Sequence, residues 1–241
     1  MKIEAVSEKG FIDMPKLLSP FVRKEINGQY VCVPKITEEF KWVFTKECMA
    51  TEKLDGTNVS IVVRGGKIIA VYNRLNPIDL FAKGNKRFAE GILEAVERGY
   101  IDLKKLNGQY FGELIGPQVN GNPYGLEKHL WMSFEQIKEH LGFKFWGEFV
   151  EELNGLTDEE VYKKVSEVFK GLWSLYKRKR GVKGEVNEYT KFGGLAAEGI
   201  VFYRRGAEIK LAKVENRITT LELCKLRRDM FDWFKGEGHA Q

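Results

Sequence analysis

The sequence predicts an α+β fold made mainly of antiparallel sheets flanked by helices, and three features carry that expectation. Short β-branched and apolar runs recur along the chain. Several of them are joined by turn residues of the kind that close hairpins. A few segments have the 3.6-residue apolar spacing of amphipathic helices, two of them opened by Thr-x-x-Glu boxes.

Taken in order, Asn58 to Val63 and Lys67 to Tyr72 read as strands joined at Arg64-Gly65-Gly66, a hairpin that leaves Lys53 on the lip of a sheet. Residues 86–98 place Phe88, Ile92, Ala95 and Val96 on one helical face, with Gly99 as the C-terminal cap. Tyr110-Phe111 and Trp131-Met132 suit strands. Thr157-Asp158-Glu159-Glu160 opens a helix whose apolar face is Val161, Val165, Val168, Phe169 and Leu172, and the basic run from Lys177 is expected to close it. Ile200 to Phe202 and Ile209 to Leu211 return to strand character around the turn Arg205-Gly206-Ala207. A second box, Thr219-Thr220-Leu221-Glu222, predicts a helical tail over about 219–236 with Leu223, Leu226, Met230, Trp233 and Phe234 as its stripe.

At 241 residues, 43% of them hydrophobic and 12% aromatic, the chain has the material for one substantial core. Neither a repeat nor a low-complexity linker divides it, so a single domain over 1–241 is the expectation. Its net charge of +5 permits nucleic-acid binding without requiring it. The densest basic run is Lys177-Arg178-Lys179-Arg180 followed by Lys183. Cys32, Cys48 and Cys224 have neither the spacing of a zinc site nor the number for a disulfide scaffold. No run approaches the roughly 18 apolar residues of a membrane helix. Acids at Glu4 and Glu8 stand where a signal peptide would be apolar, and a cytoplasmic location is expected.

Four motifs stand in a telling order: Glu52-Lys53-Leu54-Asp55-Gly56-Thr57-Asn58, then Phe111-Gly112-Glu113-Leu114-Ile115-Gly116, then Glu198-Gly199-Ile200-Val201-Phe202, then Ile209-Lys210-Leu211-Ala212-Lys213. Each alone is weak, because Lys-x-Asp-Gly is an ordinary turn sequence. Their order and spacing resemble the covalent nucleotidyltransferase superfamily of DNA ligases, RNA ligases and mRNA-capping enzymes, and most closely its RNA ligase 2-like, ATP-dependent RNA ligases.

That resemblance implies a nucleotidyltransferase domain, ATP-grasp-like, that holds the nucleotide between two sheets. It makes Lys53 the nucleotidylated lysine, with Glu52, Asp55 and Asn58 of the same motif at the cofactor. Arg74 corresponds to the family's arginine shortly after the lysine, Glu113 to the ribose anchor and Glu198 to the metal-associated acid. Phe134 stands where an aromatic stacks on the base, with Trp131 as its rival, and Lys210 where a lysine touches the nucleotide phosphate. The sequence departs from the pattern twice. Ala212 occupies the place of the usual second lysine, with Lys213 one position later, and Phe134-Glu135 replaces the usual Phe-Asp.

The residue types suit the chemistry. Free lysine is protonated at pH 7, and a pocket of further cations penalises the ammonium form and frees the amine to attack the α-phosphorus of ATP. Glu113 and Glu198 lie beside apolar, strand-like sequence, where a carboxylate is costly unless it meets a metal, a hydroxyl or a cation. Magnesium, or manganese in its place, is satisfied by one protein carboxylate plus phosphate oxygens. The implied reaction joins 5′-phosphate and 3′-hydroxyl RNA ends through lysine–AMP and an adenylylated 5′ end.

Lys83, Lys86 and Arg87 join the basic run as phosphate-contact candidates. The 28 residues after Lys213 cannot hold the OB-fold domain that DNA ligases and capping enzymes carry there. The alternatives are a DNA-joining or GTP-using transferase that needs a partner domain, and a non-catalytic nucleic-acid-binding module of the same fold. A protein partner or homo-oligomer is compatible with so small a chain.

Overall fold

The computed structural model describes residues 12–179, 195–210, 212–214 and 217–234. Strands β1 (Phe21–Ile26), β2 (Gln29–Ile36) and β3 (Cys48–Lys53) come first, then β4 (Thr57–Arg64), β5 (Lys67–Asn73) and β6 (Asn76–Pro77). Helix α1 (Lys86–Glu97), strands β7 (Gly108–Ile115) and β8 (Leu130–Ser133) and helix α2 (Phe134–His140) follow. Three helices, α3 (Trp146–Phe149), α4 (Asp158–Lys170) and α5 (Leu175–Lys179), lead to β9 (Gly199–Arg204). Last come β10 (Ala212–Val214), β11 (Arg217–Thr219) and β12 (Leu223–Arg227). Every strand pair among these is antiparallel, as the hairpin-rich sequence predicts.

Composition draws no boundary, yet the chain falls into two compact units. One is Leu54–Leu141 with the segment ending at Pro15, and the other is Lys16–Lys53 with the chain from Gly142 onward. The backbone therefore passes from one unit to the other directly after Lys53.

The first unit is built on the sheet β6-β5-β4-β7-β8. Its central β4–β5 hairpin turns at Gly65 and Gly66, both with φ above +50°, as the sequence predicts. Helix α1 lies against β7 and β8, and it comes close because Gly91 has no side chain: a Cβ there would sit 2.3 Å from Leu114 Cδ1. Gly99, at φ +70°, ends α1 as expected. Trp131 is fully buried in this unit, and its indole donates to the Val59 carbonyl at 3.0 Å.

The second unit carries the sheet β12-β9-β3 and the hairpin β1–β2. Its core is aromatic: Trp146 packs on Phe202 with ring centroids 4.9 Å apart, and Phe169 on Phe231 at 5.1 Å. Helix α4 presents Val161, Val165 and Phe169 to this core, and the Thr157–Glu160 capping box is formed in both directions.

Three expectations are corrected. Helix α4 ends at Lys170 with Gly171 as cap, so Lys177 belongs to the separate helix α5 instead of closing α4. Arg180 and Lys183 lie outside the described residues. Residues 207–210 are irregular, because the Lys210 amide is bonded to the Glu222 carboxylate at 3.2 Å rather than to a strand partner. Finally, the tail is β12 and a short 3-10 turn at Arg228–Met230, not a helix. The residues of its apparent capping box are engaged elsewhere: Thr219 donates to the Lys16 carbonyl at 2.6 Å, and Glu222 accepts from Thr220.

Candidate active site

In the second unit, Lys53 is the last residue of β3 and pairs in register with Gly199, so the next residue back on β9's chain, Glu198, falls beside it. The Lys53 Nζ donates to Glu198 Oε2 at 2.5 Å, each side chain about one-fifth exposed. Arg227, at the end of β12 and opposite Gly199, brings its Nη1 to 3.8 Å from the other Glu198 oxygen. Gly199 makes this three-strand junction feasible, since a Cβ there would lie 2.2 Å from the Leu226 carbonyl oxygen. Two motif residues 145 positions apart thus meet around one carboxylate with a second cation nearby.

Glu52 faces the other way, as strand alternation requires. Expected at the cofactor, its side chain is instead buried inside the second unit, where it accepts from Ser174 Oγ at 2.5 Å and the Tyr176 amide at 2.8 Å. Burial pushes its carboxyl up to about 7, against the opposing pull of those donors. Lys210 is exposed on the irregular segment before β10. Lys213 pairs with Ile218 in the β10–β11 ribbon, and its side chain lies outside the described residues.

The first unit holds the other candidates. Asn58 on β4 stands opposite Glu113 on β7, and residues paired in this way share a face. Glu113 and Asn58 therefore project together, away from the Leu114 side that α1 covers. Gly56 is pressed onto this row: a Cβ would meet the Leu114 carbonyl at 2.5 Å and Glu113 Cγ at 2.7 Å. Gly112 likewise lets β7 seat on Trp131. Arg74 occupies the turn between β5 and β6 at φ +57° and donates to the Met14 carbonyl at 3.2 Å. Phe134 is the half-buried first residue of α2, whose start is fixed by a Ser133–Gln136 capping box. Trp131 is in the core, so Phe134 is the less buried of the two rivals.

The sequence reading missed Arg227, and it missed two residues of the loop between β7 and β8. Asn120 donates to Asp55 Oδ1 at 2.7 Å and to the Gly56 carbonyl at 2.9 Å, while the buried Tyr124 hydroxyl accepts from the Asp55 amide at 2.7 Å. They brace the turn that follows Lys53. Their signal was the Asn120-Gly121-Asn122 cluster, whose residues all adopt positive φ.

The three cysteines are free and buried, and burial raises each thiol. Among the described residues no group of three or more His, Cys, Asp or Glu could hold a metal, and no helix is long and apolar enough to cross a membrane. Glu198 fits the simpler arrangement of one partly exposed carboxylate completed by phosphate oxygens.

The ordered motif series, in an α+β chain of antiparallel sheets, is that of the covalent nucleotidyltransferases. The RNA ligase family model matches residues 46–215, and the chain belongs to the RNA ligase family. Among solved structures it is similar to Naegleria gruberi RNA ligase with PPi, at 16% identity and a TM-score of 0.40 over 68% of this chain and 48% of that one. It is also similar to a lysine-to-alanine variant of that ligase with ATP and Mn, at 13% identity and a TM-score of 0.42 over 89% and 62%. A lysine-to-methionine variant with AMP and Mn gives 13% identity and a TM-score of 0.42 over 90% and 60%. The chain spans about half to three-fifths of the length of these ligases. No curated protein matches it by sequence.

Proposed function

We propose that this protein is an ATP-dependent RNA ligase that joins 5′-phosphate to 3′-hydroxyl ends through adenylylated Lys53. The observation that carries this reading is the Lys53–Glu198 pair, made by the first and third motifs across the β3–β9 register.

In the first step the Lys53 amine forms a bond to the α-phosphorus of ATP, and pyrophosphate leaves. The Glu198 carboxylate orients Nζ beforehand, and the amine must give up that contact and a proton to attack. A divalent cation at Glu198, when bound, supplies positive charge that competes with the ammonium for the carboxylate and stabilises the phosphate oxygens. Lys210 is assigned to the phosphate, Glu113 to the ribose hydroxyls and Phe134 to the face of the adenine, where stacking contributes about 1–3 kcal/mol. Asp55, Asn58 and Arg74 complete the cofactor contacts, and Lys213 stands as the substitute for the usual second lysine. AMP then passes to the RNA 5′-phosphate, and a 3′-hydroxyl displaces it to seal the strand.

The test is labelling with ATP carrying a radioactive α-phosphate, with magnesium or manganese and with GTP as control. Wild type should carry acid-labile AMP through a denaturing gel, and Lys53→Ala and Glu198→Ala should not. Folded, AMP-free wild type that takes no label from either nucleotide would overturn the proposal. Sealing of a nicked RNA, compared with its DNA counterpart, then tests the polynucleotide.

A further inference from the structure

In the first unit the segment between β6 and α1 is a firmly bonded turn. Asp79 Oδ1 accepts from the Phe81 amide at 2.9 Å, and the Asp79 carbonyl accepts from the Ala82 amide at 3.2 Å and from Asn85 Nδ2 at 2.9 Å. The Asn85 amide closes on the Ala82 carbonyl at 2.9 Å. These bonds hold the backbone while sending the Phe81 ring into solvent, 99% exposed. An ordered turn that presents a whole aromatic side chain to water forgoes the burial such a ring normally gains.

The charges around Phe81 say what covers it. Arg74, Lys83, Lys86 and Arg87 are the cations of the segment 74–90. Its two acids, Asp79 and Glu90, are engaged: Asp79 with the Phe81 amide, and Glu90 with His129. Lys83 and Lys86 are exposed, and among the described residues neither has an ion-pair partner. Lys86 and Arg87 also occupy the first turn of α1, which has no acid and where the helix dipole disfavours cations. Lys83 is two residues from Phe81, so their Cα atoms are at most about 7 Å apart.

An aromatic face with cations on its flank matches a polynucleotide strand, in which each base offers a π-face and each phosphate a charge. It matches a protein partner poorly, because the centres of protein interfaces are depleted of charge. We propose that Phe81, Lys83 and Lys86 form a landing surface for single-stranded polynucleotide, with a base stacked on Phe81 and adjacent phosphates on the two lysines. Only the choice of RNA over DNA as the strand rests on the ligase reading.

The experiment is fluorescence anisotropy of a labelled 12-nucleotide single-stranded RNA with the full chain, across a series of salt concentrations. Phe81→Ala should weaken binding roughly 5- to 150-fold, the equivalent of one lost stack, and Phe81→Trp should restore it. Lys83→Ala with Lys86→Ala should reduce the slope of log affinity against log salt by about 1.4. Phe81→Ala and Phe81→Trp should keep wild-type AMP labelling of Lys53.

Unchanged affinity in Phe81→Ala, failure of Phe81→Trp to restore it, or no RNA binding by wild type would overturn the surface. So would a change in sedimentation on Phe81→Ala without a change in RNA affinity, since that outcome assigns Phe81 to a contact between copies of the chain. Phe81-dependent binding in a protein that never labels would leave the surface standing and remove the ligase reading.

Discussion

Replacing Glu52 by glutamine isolates what it costs to ionise a carboxyl inside the second unit. Glu52 is 1% exposed, and burial raises it from the ordinary 4.5 to about 7 although Ser174 and the Tyr176 amide both donate to it. Below pH 4.5 both the folded and the unfolded chain hold the proton, and the group costs nothing. Between 4.5 and about 7 the unfolded chain releases the proton while the folded protein keeps it, so stability falls as pH rises. Above about 7 both are ionised and the full penalty applies, roughly 3 kcal/mol.

Glutamine never ionises, accepts through one oxygen, and can turn its amide towards the Ser174 hydroxyl, at a cost of about 1 kcal/mol for imperfect pairing. Relative to wild type, Glu52→Gln should therefore gain about 2–3 kcal/mol in unfolding free energy between pH 5 and pH 8 and be the more stable protein at pH 8. Urea unfolding of both proteins at pH 5, 6, 7 and 8 measures this directly, because every other titrating group cancels in the difference. Parallel profiles, within about 0.5 kcal/mol, would refute the reasoning.

Gly199→Ala places a Cβ 2.2 Å from the Leu226 oxygen and 2.8 Å from Arg227 Cα, both backbone, and should cost about 3 kcal/mol or more in urea unfolding and abolish AMP labelling. Thr157→Ala removes the α4 capping box and should cost about 1 kcal/mol, seen as a Tm lower by about 2–4 °C with labelling intact. Asn120→Ala loses both bonds to the Asp55–Gly56 turn and should cost about 1–2 kcal/mol and slow labelling. Asn120→Gly relieves the φ of +46° but not the lost bonds, so it should recover stability in calorimetry and leave labelling slow.

What the sequence made legible was local. The β4–β5 hairpin, α1 with Gly99 and the Thr157 box each depend on residues within about 15 positions, and each forms where its own chemistry puts it. The motif glycines were legible as glycines but not for their reason: Gly56, Gly112 and Gly199 are each pressed against another strand, which only the fold reveals. Arg227 and Asn120 were invisible because their partners lie 29 and about 65 positions away in the sequence.

The tail shows which term wins when local and long-range signals conflict. Thr219-x-x-Glu222 followed by Leu223, Leu226 and Met230 satisfies every local rule for a helix start. A helix there would leave β9 with β3 as its one neighbour and its other edge unpaired beside the buried core. As a strand, Leu223–Arg227 pairs with β9 along five residues and buries Leu223, Cys224 and Leu226. A capping box contributes about 1 kcal/mol, whereas burying two leucines alone contributes about 3–6 kcal/mol. The same pairing sets Arg227 opposite Gly199 and so beside Glu198, which means that the misread tail is also what delivers the second cation to the lysine's carboxylate.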